Sequence, residues 1–174
     1  MNPAEATPID SDGHRQLEPR QLFVLLISIL IVALCGITYE LIIGTVSSYL
    51  VGNSVYQFSI TIGLFMFAMG IGSYLSKKLF RNLVNAFIVV EVVIAIIGGL
   101  SSLLLFMAFP FLTPHYTLVM YALILVIGAL VGLELPLLTR ILSQKESIRQ
   151  SIAHVMSLDY VGALIGAVLF PLLL

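Results

Sequence analysis

The sequence predicts an all-α integral membrane protein: a compact antiparallel bundle of five transmembrane helices with its amino terminus in the cytoplasm. Three observations predict it. Of the 174 residues, 60% are hydrophobic and only 10% are charged, against about a quarter charged in a typical soluble domain. The apolar residues gather into five stretches, each close to or above the ~20 residues a helix needs to cross a bilayer. All eight Lys and Arg fall on one side of those stretches. A soluble core is apolar on one face per element and cannot absorb this much Leu, Ile and Val; a bilayer can.

Residues 1–20 carry Pro3, Pro8 and Pro19, mixed charges and no apolar periodicity. They read as a flexible cytoplasmic tail, and residues 21–174 as the transmembrane helical domain. The tail lacks the basic start of a secretory signal, and the apolar run behind it is too long for one, so the first stretch is a retained span. That span runs from Leu22 to Val51 and is long enough to tilt, or to break near its glycines. The second covers Phe58 to Leu79, the third Val84 to Phe109, the fourth Tyr116 to Leu142 and the fifth Ile152 to Leu174. The links Gly52–Gln57, Phe80–Leu83, Pro110–His115 and Ser143–Ser151 are short, which sets successive helices antiparallel in one bundle.

Orientation follows from the basic residues. Arg15 and Arg20 precede the first span; Lys77, Lys78 and Arg81 lie between the second and third; Arg140, Lys145 and Arg149 lie between the fourth and fifth. The opposite links hold none, so the basic side is cytoplasmic. The chain stops at Phe-Pro-Leu-Leu-Leu without the basic or aromatic anchor that usually closes a span. It is therefore expected to be truncated at its C-terminus. Cys35, the single cysteine, follows Leu34 rather than a small residue, so a buried thiol is expected in place of a lipoprotein cleavage site.

Four acids lie inside apolar stretches: Glu40, Glu91, Glu134 and Asp159. A charge near the bilayer centre costs on the order of 3 kcal/mol or more, so such residues face the bundle interior or water, or stand neutral. Gly36, Glu40, Gly44 and Ser48 share one helix face, as do Glu91, Ala95, Gly98 and Ser102. Asp159 stands over Gly162, Ala163 and Gly166, and small residues let helices approach closely, which places these acids at interfaces. Glu134 lies about 200° round its helix from Gly132, so the fourth span contacts neighbours on two sides. Pro136 cannot donate to the Gly132 carbonyl. An acid beside a freed carbonyl suits a cation or an amine; a kink held by neighbouring helices is the other reading.

Counted along the helices, Glu91, Glu134 and Asp159 fall in the cytoplasmic half and Glu40 slightly beyond the middle. Three acids can then form a cytoplasmic vestibule, with Tyr39 and Tyr160 as adjacent hydrogen-bond donors. All four acids are candidate cation- or polyamine-binding residues; the plainer alternative is a set of hydrogen-bonded acids that specify helix contacts.

Several chemistries are disfavoured. A net charge of −1 gives no basic footprint for nucleic acid. His14, His115 and His154 lie in the tail, an outer link and an inner helix end, so no mid-membrane pair is placed to hold haem. There is no Gly-rich strand-to-helix turn for a nucleotide and no nucleophile elbow. No catalytic residue, cofactor or metal is expected of this chain.

Several strings resemble a known family. Thr-Tyr-Glu-Leu at 38–41 leads into Gly-Thr-Val-Ser-Ser-Tyr-Leu at 44–50, and Ala-Met-Gly-Ile-Gly-Ser-Tyr-Leu-Ser spans 68–76. Gly-Leu-Glu-Leu-Pro-Leu-Leu at 132–138 and Asp-Tyr-Val-Gly-Ala-Leu-Ile-Gly at 159–166 complete the set. From residue 33 onward the chain resembles the N-terminal membrane region of bacterial membrane-bound spermidine synthase-like proteins, the polyamine aminopropyltransferases. The resemblance implies a following cytoplasmic Rossmann-like domain that transfers an aminopropyl group from decarboxylated S-adenosylmethionine to putrescine. None of that domain's active-site residues map here. The implied role is to anchor or partner such a domain at the bacterial plasma membrane. Polyamine or cation binding or transport, and assembly with another membrane protein through small-residue faces, are the alternatives.

Overall fold

The structure, a computed structural model, describes residues 19–78, 82–111, 115–144 and 147–173. The tail expected over residues 1–18, and the basic residues Arg15, Arg81 and Lys145, lie outside them. Five α-helices follow one another: α1 Pro19–Val51, α2 Ser54–Leu75, α3 Leu83–Phe111, α4 Tyr116–Leu142 and α5 Ile148–Leu173. A short 3₁₀ turn, Ser76–Lys78, extends α2. No strand occurs among the described residues. All five helices are long and apolar enough to cross a membrane.

The helix of the fourth stretch matches its expected bounds, whereas the other four extend beyond theirs. Helix α1 begins at Pro19 rather than Leu22, and α2, α3 and α5 extend for local reasons. Helix α2 starts at Ser54 rather than Phe58. Asn53 sits in the left-handed region (φ 52°) and its side-chain oxygen accepts from the Tyr56 amide at 3.3 Å, capping the helix before the apolar run begins. Helix α5 starts at Ile148 rather than Ile152. The Ser147 hydroxyl accepts from the Gln150 amide at 3.4 Å and donates to the Gln150 side chain at 2.9 Å, a variant of the Ser-x-x-Gln capping box. Helix α3 continues through Pro110 to Phe111, because a proline in the last turn removes only one donor.

Helices α1 and α4 form the centre, and each touches all four of the others. Helices α2, α3 and α5 pack around this pair, and among the described residues none of these three touches another. The short α2–α3 link therefore does not make its two helices packing partners. Glycines explain the choice. A Cβ at Gly72 would meet the Ala129 carbonyl, and one at Gly132 the Met69 carbonyl, so α2 and α4 pack backbone to backbone. Gly162 packs on the Leu30 carbonyl and Gly166 lies against Leu34 and Ile37, seating α5 on α1.

The buried core is a column of aliphatic and aromatic side chains between these helices. One cluster contains Ile43, Phe65, Leu105, Met120, Ile124 and Ile127. A second holds Ile29, Leu138, Leu142 and Val155. The outer surfaces are equally apolar: Phe67, Met66 and Leu164 are 63%, 67% and 64% exposed. Folded soluble monomers rarely expose apolar surface on this scale.

Candidate functional site

The four acids come from four different helices, and helix packing converges them. Gly36 leaves room for Val131, bringing α1 close to α4 one turn before Glu40. The Gly162–Gly166 contact seats α5 so that Asp159, about one turn before Gly162, reaches the junction of α1, α4 and α5. Gly98 receives the Tyr39 ring, where a Cβ would stand 2.9 Å from ring atoms. Glu91 lies two turns before Gly98 on the same face of α3, with its carboxyl beside that of Glu134.

Glu40, Glu134 and Asp159 line one cavity of about 100 Å³, whose apolar walls include Ala33, Phe65 and Met69. Glu134 is only 3% exposed and sits at the centre of the set, between the cavity and Glu91. The Glu91 Oε1 atom is buried without a hydrogen-bond partner. The structure thus joins Glu40 to the group, where counting along the helices had set it apart from the other three acids. Tyr39 packs over Gly98, while Tyr160 is 64% exposed and does not line the Asp159 cavity.

Size and charge restrict what the cavity can hold. At ~30 Å³ per water it has room for about three waters, well below the ~300–1,000 Å³ of drug-sized sites. No Lys, Arg or His lines it, so a small cationic group meets carboxyls on three sides. Among the described residues, no three of His, Cys, Asp and Glu come near enough to hold a metal ion jointly. An ammonium group or a hydrated cation suits this spacing better than a dehydrated metal.

Other expected features fall elsewhere. Gly132 and Pro136 line a separate recess between α2, α4 and α5, so the freed carbonyl and the Glu134 carboxyl do not share a cavity. Cys35 is a free, half-buried thiol. The glycines expected to contact another membrane protein are spent inside the chain: Gly128 and Gly132 face α2, and Gly162 and Gly166 face α1. The reading of assembly through those faces is corrected accordingly.

Sequence reasoning missed one polar tie across the bundle. Ser47 and Tyr116 hydroxyls pair at 3.2 Å, joining the end of α1 to the start of α4. Tyr116 also meets Phe109 edge to face at 5.6 Å. Its position at the head of a predicted span was the available signal, but nothing in the sequence named its partner.

Curated relatives match most of the chain. It is 45% identical over 148 residues to a polyamine aminopropyltransferase of Leptospira interrogans, covering 85% of this chain and 30% of the relative. It is 42% identical over 165 residues to polyamine aminopropyltransferase 1 of Ralstonia nicotianae, covering 94% of this chain and 31% of the relative. With polyamine aminopropyltransferase 1 of Streptomyces coelicolor the identity is 44% over 154 residues, or 87% of this chain and 29% of the relative. The chain thus spans about 30% of the length of these relatives. No protein-family model matches the chain. No solved structure matches it.

Proposed function

We propose that these residues form the membrane-embedded region of a polyamine aminopropyltransferase of the bacterial plasma membrane. In this reading the amino terminus and basic links are cytoplasmic, and the helices anchor or partner a cytoplasmic catalytic domain carried on other residues. The observation that carries it is the similarity to enzymes of that name along nearly the whole chain. Five long apolar helices with apolar outer faces support the membrane part. The one-sided distribution of basic residues supports the orientation. The test expresses the protein as its gene encodes it, with and without residues 19–173, and assays aminopropyl transfer to putrescine in membrane and soluble fractions. Activity should sediment with membranes and leave that fraction when the helices are deleted. A membrane-inserted full-length protein without transferase activity would remove the enzyme link.

A second reading rests on the convergence of Glu40, Glu134 and Asp159 on one cavity, with Glu91 beside Glu134. Here the acids bind a cation, such as one terminal ammonium of a polyamine, for uptake or sensing. The cavity is too small for an extended polyamine but admits a single head group. Glu91→Gln, Glu134→Gln and Asp159→Asn should each weaken spermidine binding while leaving the protein folded. Unchanged affinity in all three would exclude this site.

A further inference from the structure

Glu134 is the most deeply buried acid of the cavity, and nothing around it supplies a counter-charge. It is 3% exposed and lines the space of about 100 Å³ between α1, α4 and α5. Among the described residues no hydrogen-bond donor reaches its carboxyl, and the ionisable side chains that act on it are two further acids, Glu91 and Asp159. Behind it the Glu91 Oε1 atom is enclosed, again without a partner. Each packed helix adds to the same imbalance. Helix α1 brings Glu40, with Tyr39 and Cys35 close enough to sense Glu134; α3 brings Glu91 and α5 brings Asp159. Helix α2 brings only Phe65 and Met69. A bare carboxylate enclosed in this way is unstable until a proton or a cation joins it. Room for about three waters is too little to hydrate it instead.

We infer that the cavity exchanges one proton for one cation, with Glu134 as the group that holds either. Without a cation, Glu134 carries the proton. When a monovalent cation such as an ammonium head group enters beside Glu40, Glu134 and Asp159, that proton leaves. The exchange balances: the Glu134 O–H bond breaks, its electron pair stays on the carboxylate, and the proton passes to water. One positive charge replaces another, so the charge of the site is the same before and after. Glu40 and Asp159 are only partly buried, so water can stabilise them as carboxylates; they contact the cation but are not the source of the proton. This inference rests on the cation-binding reading above and adds its regulation: acid should empty the site of cations and alkali should fill it.

Calorimetry tests it by counting protons. The full protein, as its gene encodes it, is held in bilayer discs and titrated with spermidine. Two buffers of equal pH and different ionisation enthalpy give the protons released per molecule bound. The same titration of Glu134→Gln supplies the baseline, since binding elsewhere in the full protein is common to both and cancels. The difference should show about one proton released per spermidine. Its affinity should rise about tenfold per pH unit over roughly pH 5.5 to 7, where the amines stay charged. Asp159→Asn should weaken this binding and leave the count near one. Melting curves check each variant. Infrared difference spectra of the unaltered protein give a readout that needs no variant: adding spermidine should remove a protonated-carboxyl carbonyl band. Binding at the cavity with no proton released, no pH dependence or no loss of that band overturns the exchange and leaves the cation site standing. Proton release that persists in full in Glu134→Gln assigns the proton to another group and also overturns it. Equal spermidine binding in the parent, Glu134→Gln and Asp159→Asn at every pH removes the cation reading itself, and the exchange with it.

Discussion

At the scale of single residues, burial gives small groups large consequences. The Ser47–Tyr116 hydroxyl pair is fully enclosed, with Ser47 at 0% and Tyr116 at 3% exposure. Removing one hydroxyl leaves the other without its partner in an apolar setting. Tyr116→Phe should therefore lower stability by about 0.5–1.5 kcal/mol, toward the lower figure if measured in lipid. Steric trapping or denaturant unfolding in bilayer discs checks this. Adding Ser47→Ala to Tyr116→Phe should cost little more, since the bond is already lost. The four acids were individually legible, because a carboxylate in a run of Leu, Ile and Val is conspicuous. Which of them meet was not. Glu40 seemed isolated by depth, yet it lines the cavity with Glu134 and Asp159 once α1 and α4 approach at Gly36.

At the scale of helices, the existence and number of elements followed from hydropathy, while their ends followed from caps. The Ser147–Gln150 pair moved the start of α5 ahead of its apolar run, and Asn53 did the same for α2. Both signals stand in the sequence, but an apolar window does not register them. Packing partners depend on side chains that are absent. Gly162 lies against the Leu30 carbonyl and the Ala33 methyl, so Gly162→Leu should push α5 away from α1. A loss of about 1–3 kcal/mol or more is expected, as for an overpacked core. Val161, its neighbour, is 46% exposed, and Val161→Leu should leave stability within about 0.5 kcal/mol of the parent. The same unfolding assay reads both, and equal losses would show that α5 is not seated through Gly162.

At the scale of the whole molecule, topology and the use of the central helices are the testable properties. In a Cys35→Ser background, a cysteine at Asn53 should react with an impermeant maleimide added to intact spheroplasts. One at Gln144 should react only after the membrane is opened. The reverse pattern would invert the orientation and place the basic turn at Lys77 and Lys78 outside. Helix α4 is the member of the bundle through which most of the chemistry passes. It supplies Glu134 to the acid cavity, Pro136 and Arg140 to the recess beside α2 and α5, and Tyr116 to the tie with α1. That concentration follows from its central place, since a helix in contact with the other four lies at several of their junctions.

Sequence alone determined the all-helical class, the five long apolar helices and the identity of the acids within them. Those are one-dimensional properties: an apolar run of sufficient length satisfies its own backbone hydrogen bonds as a helix wherever it lies. Only the tertiary structure decided that α1 and α4 stand at the centre, that α2 and α3 part despite their short link, and that four acids from four helices converge. Those outcomes depend on which backbones can approach. Gly72, Gly132, Gly162 and Gly166 set that approach through contacts between residues far apart in the chain. Small residues are common along membrane helices, so their positions announce close packing without naming the partner.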